Sequence, residues 1–156
     1  MRYIEKRTTP DAIRVRSCLS VVLHSLLSEI GRKKIVIQVL VIDDSSFTLR
    51  TQTELIQGIG LTPLAAKGGE EGIRIFERHL PQIVLCDIMM PDVSGYEVME
   101  IIKEIKQDVF LYFVSGEMTP EIESKVKSLG GRGVIEKPLS PETLRAIVQE
   151  YQNSTR

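Results

Sequence analysis

The 156-residue chain has only two cysteines, Cys18 and Cys86, far apart in sequence. Two cysteines cannot build a structural metal cage, and a disulfide scaffold uses more of them, so a reducing compartment is expected. There is no large charge of one sign. The net charge of −1 argues against nucleic acid or an anionic membrane as the partner. No apolar stretch long enough to span a bilayer runs free of charged residues. There is no internal repeat and no low-complexity segment. What is present is an ordinary globular mixture, 42% hydrophobic and 26% charged. At this length one domain forms its own core without a metal or disulfide staple.

The charge is unevenly placed. Residues 1–36 carry eight Lys/Arg and three acids, a net +5; residues 37–156 carry twelve bases and eighteen acids, a net −6. The split predicts a basic extension, 1–36, and an acidic body, 37–156. In the extension, Thr9-Pro10-Asp11 reads as a helix start. Val15, Leu19, Val22, Leu23, Leu26, Leu27 and Ile30 follow at helical spacing, and Gly31 closes the run. Arg14, Arg16, His24 and Glu29 interrupt it, so it is neither a membrane span nor, lacking a cleavage site, a signal peptide. Three readings fit: a helix packed on the body or on a second copy as a homodimer handle, a docking element, or the product of a mis-assigned start.

The body alternates strand and helix. Gln38–Ile42 is a short β-branched run ending at Asp43-Asp44. A helix over 45–57, stopped by Gly58, precedes a strand at Thr62–Ala66. Glu70–His79 is helical, with Ile73, Phe76 and Leu80 on one side. Ile83–Cys86 is a strand ending at Asp87. A helix from about Ser94 to Ile105 places Val98, Ile101, Ile102 and Ile105 on one face. Val109–Val114 is a strand ending at Ser115-Gly116. Thr119-Pro120-Glu121 opens the next helix, Gly133–Ile135 is a fifth strand ending at Glu136-Lys137-Pro138, and Ser140-Pro141-Glu142 opens the last helix. Strict alternation predicts an α/β fold: a doubly wound, five-stranded parallel sheet of flavodoxin-like order 2-1-3-4-5. Ligands in such sheets sit beyond the carboxyl ends of the strands.

That edge collects Asp43, Asp44, Asp87, Ser115 and Lys137. Three close carboxylates repel, and a hard divalent cation such as magnesium relieves the repulsion. A carboxylate can attack phosphorus, and a lysine and a hydroxyl can hold the oxygens of the transferred group. No His or Cys lies there to suggest zinc. No Gly-x-x-x-x-Gly-Lys loop follows the first strand, which excludes a nucleotide P-loop. Taken singly, an acidic pair at a strand end is more often a turn or cap, and Ser-Gly a common turn. The joint pattern outweighs those readings.

Four motifs carry a resemblance: Val41-Ile42-Asp43-Asp44-Ser45, Asp87-Ile88-Met89-Met90-Pro91-Asp92-Val93-Ser94-Gly95, Val114-Ser115-Gly116 and Glu136-Lys137-Pro138. Residues 38 to about 152 resemble the CheY-like receiver domain of bacterial two-component response regulators. The resemblance implies that Asp87 accepts a phosphoryl group from a phosphohistidine on a sensor histidine kinase or phosphotransfer protein. It implies that Asp43, Asp44, Asp87 and the backbone carbonyl of Met89 hold Mg2+, and that Ser115 and Lys137 bind the phosphoryl oxygens. Such a module is not an enzyme on other substrates; it catalyses only its own phosphorylation and dephosphorylation. Val134 stands where many relatives carry a switch aromatic, so an aromatic-switch output is not expected. Met89 and Glu117 lie where relatives tune dephosphorylation.

Little sequence follows the last predicted helix, so the expectation is a stand-alone, cytoplasmic regulator. Its output would be contact with a downstream protein that the sequence does not name. The expected contact face, formed by the fourth helix, fifth strand and fifth helix, carries Lys125, Lys127, Arg132, Glu136 and Arg145. Two other classes compete. A non-phosphorylated pseudo-receiver is disfavoured by the complete acidic set with Ser115 and Lys137. A metal-dependent aspartyl phosphatase resembles Asp-x-Asp at the first strand, where this chain has Asp43-Asp44-Ser45.

Overall fold

The computed structural model describes residues 36–156. The predicted N-terminal helix and its homodimer role lie outside the described residues. The elements run β1 (Gln38–Ile42), α1 (Ser46–Gly58), β2 (Thr62–Ala66), α2 (Gly69–His79), β3 (Ile83–Asp87), α3 (Gly95–Ile105), β4 (Leu111–Ser115), α4 (Pro120–Leu129), β5 (Gly133–Glu136) and α5 (Pro141–Ser154). The strands form one parallel sheet in the order β2-β1-β3-β4-β5, the expected doubly wound arrangement. Its order reverses between β1 and β3.

Both faces of the sheet are covered, which is why the central strands read as continuous apolar runs rather than alternating ones. Leu40, Ile42, Val84, Cys86, Leu111 and Phe113 pack on one side with Phe76, Val98, Met99, Ile102 and Val126 from α2, α3 and α4. Val39, Val41, Ile83, Leu85 and Val114 pack on the other with Ile56, Leu144 and Ile147 from α1 and α5. Successive residues of one strand therefore serve opposite layers.

Helix starts follow their caps. Ser45, Ser94, Thr119 and Ser140 each accept an N–H from the first turn of α1, α3, α4 and α5, and Ser94 with Glu97 forms a capping box. Several sequence expectations need correction. Helix α1 runs one residue past the expected 57 and ends with Gly58 as its last residue; the turn is completed by Gly60 at φ +81°. Strand β4 starts at Leu111, not Val109. Val109 and Phe110 are buried ahead of the ladder, so their apolar character reports core packing rather than strand. Leu80 does not face the core. It is the left-handed C-cap of α2 and is exposed. On α3 the buried residues are Gly95, Val98, Met99 and Ile102, while Ile101 and Ile105 sit at the exposed rim.

Candidate functional site

The carboxyl ends of β1, β3, β4 and β5 deliver the expected residues to one edge. Asp43 directly follows β1, and its N–H still donates to the Ala66 carbonyl at 3.2 Å, so it is fixed by the sheet. Asp43 Oδ1 accepts the Ser45 N–H at 2.8 Å, a local turn that leads into the N-cap of α1. The same carboxylate thus starts the helix and turns its other oxygen, Oδ2, toward Lys137. Asp44, between them, is exposed. Asp87 is the last residue of β3 and its ladder partner is Val114, which sets Ser115 one residue further along the neighbouring strand.

Lys137 is placed by the sheet as well. Its N–H donates to the Ser115 carbonyl at 2.8 Å, which prolongs the β4–β5 pairing past Glu136. A cis peptide joins it to Pro138. Its ammonium donates to Asp43 Oδ2 at 2.7 Å and to Asp87 Oδ2 at 2.8 Å. Both acids are nearly enclosed, at 1% and 7% exposure. Burial pushes the lysine toward the neutral form, but hydrogen bonds and charge from the two carboxylates outweigh it and raise its pKa. The sequence reading placed Lys137 beside a phosphoryl group; here it first bridges the two buried acids. Ser115, also buried, accepts the Glu117 N–H on Oγ at 3.1 Å.

Asp43, Asp44 and Asp87 each present a carboxylate oxygen, and these lie within 4.8 Å of one another. Three hard oxygen donors suit a hard divalent cation. Met89 donates its N–H to Asp87 Oδ1 at 3.3 Å, while its side chain is 79% exposed.

Two features of the site were not expected from the sequence. Gly95 opens α3 against the end of β3, and a Cβ there would sit 2.2 Å from the Asp87 carbonyl oxygen. Only hydrogen fits, so glycine is what lets α3 start beside the end of β3. On the other flank, Phe47, Leu55, Pro138 and Leu139 line an apolar groove beside Lys137, with Phe47 80% exposed. Gln52 is buried in that wall with its Oε1 unpartnered. Cys86, adjacent to Asp87, is no nucleophile: burial, then the charges of Asp87, Asp43 and Asp92, push its thiol far up.

The family model described as "Response regulator receiver domain" matches residues 39–149. The chain belongs to the response regulator receiver family. It is 32% identical over 128 residues to the probable transcriptional regulator ycf27 of Cyanophora paradoxa, covering 81% of this chain and 51% of that protein. It therefore spans about half the length of the curated relatives it matches. A response regulator receiver domain protein from Clostridium thermocellum superposes with a TM-score of 0.72 at 26% identity, covering 76% of this chain and 96% of that one. The CheX–CheY–BeF3–Mg2+ complex of Borrelia burgdorferi gives a TM-score of 0.69 at 26% identity, covering 73% and 87%. Among the described residues of the receiver, no helix is long and apolar enough to cross a membrane.

Proposed function

We propose that this receiver is switched by phosphorylation at Asp87, with the phosphoryl group supplied by a phosphohistidine on a sensor kinase or phosphotransfer protein. The observation that carries the reading is the bridge from Lys137 to both Asp43 and Asp87. It gathers a nucleophilic carboxylate, a second buried acid and a cation at one strand edge, with the Asp44 carboxylate beside them. An Asp87 oxygen attacks phosphorus, the phosphorus–nitrogen bond to the donor imidazole breaks, and the imidazole leaves with that electron pair. Lys137 exchanges its Asp87 contact for an oxygen of the arriving group, which spreads negative charge that the ammonium can hold. Ser115 donates its hydroxyl hydrogen to another oxygen.

Asp43, Asp44, Asp87 and the Met89 carbonyl would hold Mg2+. When bound, the ion neutralises negative charge on the phosphoryl oxygens. A structure solved as a BeF3–Mg2+ complex in the Borrelia burgdorferi relative accords with this assignment. The exposed Phe47 and the groove beside Lys137 offer a protein surface next to the acceptor, in keeping with a macromolecular donor. Output passes to a downstream protein through the α4–β5–α5 face. Val134 is half-buried there, and Arg132 lies 4.6 Å over the Phe110 ring, so part of that basic surface is already engaged.

Stoichiometry tests the reading against an enzyme. With Mg2+ and acetyl phosphate, a receiver gains one phosphoryl group per chain by intact mass and does not turn over p-nitrophenyl phosphate. Sustained release of nitrophenol, with activity lost in Asp43→Asn, would instead assign an aspartyl phosphatase.

A further inference from the structure

Helix α2 lacks a cap of its own. It opens on Gly68-Gly69, and Gly68, at φ +113°, has no side chain to receive the first-turn N–H groups. The acceptor comes from a different loop. Asp92, twenty-two residues further along the chain, accepts the Glu70 N–H on Oδ2 at 3.1 Å. The glycines make this approach possible. A Cβ on Gly68 would lie 2.7 Å from Asp92 Oδ2, and one on Gly69 would lie 2.8 Å from Val93 Cβ and 2.9 Å from the Val93 carbonyl. Slight burial raises the Asp92 pKa, but N–H donors from Glu70, Val93 and Gly69 lower it further, so the carboxylate is held ionised at the positive end of α2.

The loop that Asp92 belongs to runs from the end of β3 to α3 and carries Met89. Its two ends are tied by Met89 N–H to Asp87 Oδ1, by Gly95 N–H to the Ile88 carbonyl at 3.0 Å, and by the Ser94–Glu97 capping box. Asp92 ties the middle of the loop to a different helix.

We propose that Asp92 is a positioning residue for cation binding: by closing the N-terminus of α2 from the loop after β3, it holds that loop so that Met89 presents its carbonyl to the acidic cluster. This rests on the receiver reading. Without the tie the loop samples other conformations, and apparent Mg2+ affinity falls by the fraction of time that the competent one is occupied.

The test is a Mg2+ titration of the 15N-labelled full chain, read at the Met89 amide, for wild type, Asp92→Ala and Asp92→Asn. Losing a cap of this kind corresponds to about a fivefold weaker apparent Mg2+ affinity in Asp92→Ala. The Glu70 amide should shift and the remaining spectrum should stay folded. Asp92→Asn keeps an oxygen acceptor and should return the affinity to within about twofold of wild type. Wild-type affinity in Asp92→Ala, with the Glu70 amide displaced, would overturn the proposal. So would an equal loss in Asp92→Asn, because the effect would then be charge rather than position. Absence of Mg2+ binding in wild type would overturn the receiver reading itself.

Discussion

Replacing Lys137 with alanine leaves Asp43 and Asp87 without their shared cation. At an effective dielectric of about 20, two unit charges 4 Å apart attract by about 4 kcal/mol, and Lys137 makes two such contacts. Desolvation offsets much of that, and removing one partner of a buried pair costs about 3–5 kcal/mol. The Lys137 side chain is 26% exposed, against 2% and 9% for the two acids, so water screens the lysine end and lowers the figure. We expect Lys137→Ala to lose about 2–3 kcal/mol in EDTA, about a 10 °C drop in Tm for a domain of this size. Mg2+ should reverse this more in the variant than in wild type. No ammonium then competes for the carboxylates, and a ligand at a hundred times its Kd contributes about 2.7 kcal/mol. Urea and thermal melts followed by circular dichroism, each in EDTA and in saturating Mg2+, give four stabilities to compare. A variant as stable as wild type in EDTA would refute the claim that the bridge holds the acids together. Equal stabilisation of both proteins by Mg2+ would refute the competition.

Gly95→Ala should cost about 3 kcal/mol in urea denaturation, since its methyl meets the Asp87 backbone and no flexible side chain can yield. Met89 offers no polar group to orient an attacking water, so Met89→Asn should lose phosphate from Asp87 faster than wild type. Decay of the phosphorylated mass checks this, and an unchanged rate would remove Met89 from the account. Stability from the Lys137 bridge has a set pH dependence. Because the folded pKa is raised, the contribution is full below the ordinary lysine value of 10.5 and is lost as pH climbs through the raised value. Wild type should therefore lose its advantage over Lys137→Ala on strongly alkaline titration, and a constant difference would contradict the assignment.

Much of this molecule was legible because buried parallel strands leave continuous apolar runs. β1 and β2 match their predicted limits, and the strand ends delivered Asp43, Asp87, Ser115 and Lys137 to one edge as expected. The errors share a cause. Hydrophobicity was read as position within an element, whereas Val109 and Phe110 are core residues in a connection, and Leu80, Ile101 and Ile105 are apolar residues at a rim. The Asp92 contact was illegible for a different reason. It joins residues twenty-two apart, the first turn of α2 and the loop after β3, and no local pattern encodes such a pair. One signal was available: Gly68-Gly69 opens a strongly amphipathic helix without a Ser, Thr, Asp or Asn to cap it, which implies an acceptor from elsewhere. The unpartnered Oε1 of Gln52 had no sequence signal, since its burial depends on how α1 meets the segment after Lys137.

The central claim is that Asp87 is the phospho-acceptor and that it needs the divalent ion. The most direct measurement is tandem mass spectrometry of the chain after acetyl phosphate treatment, with wild type and Asp87→Asn compared in Mg2+ and in EDTA. The account predicts one phosphoryl group on the peptide that contains Asp87, absent in EDTA and absent in the variant. A phosphoryl group on another residue, equal labelling in EDTA, or no labelling where a known receiver is labelled in parallel would contradict it.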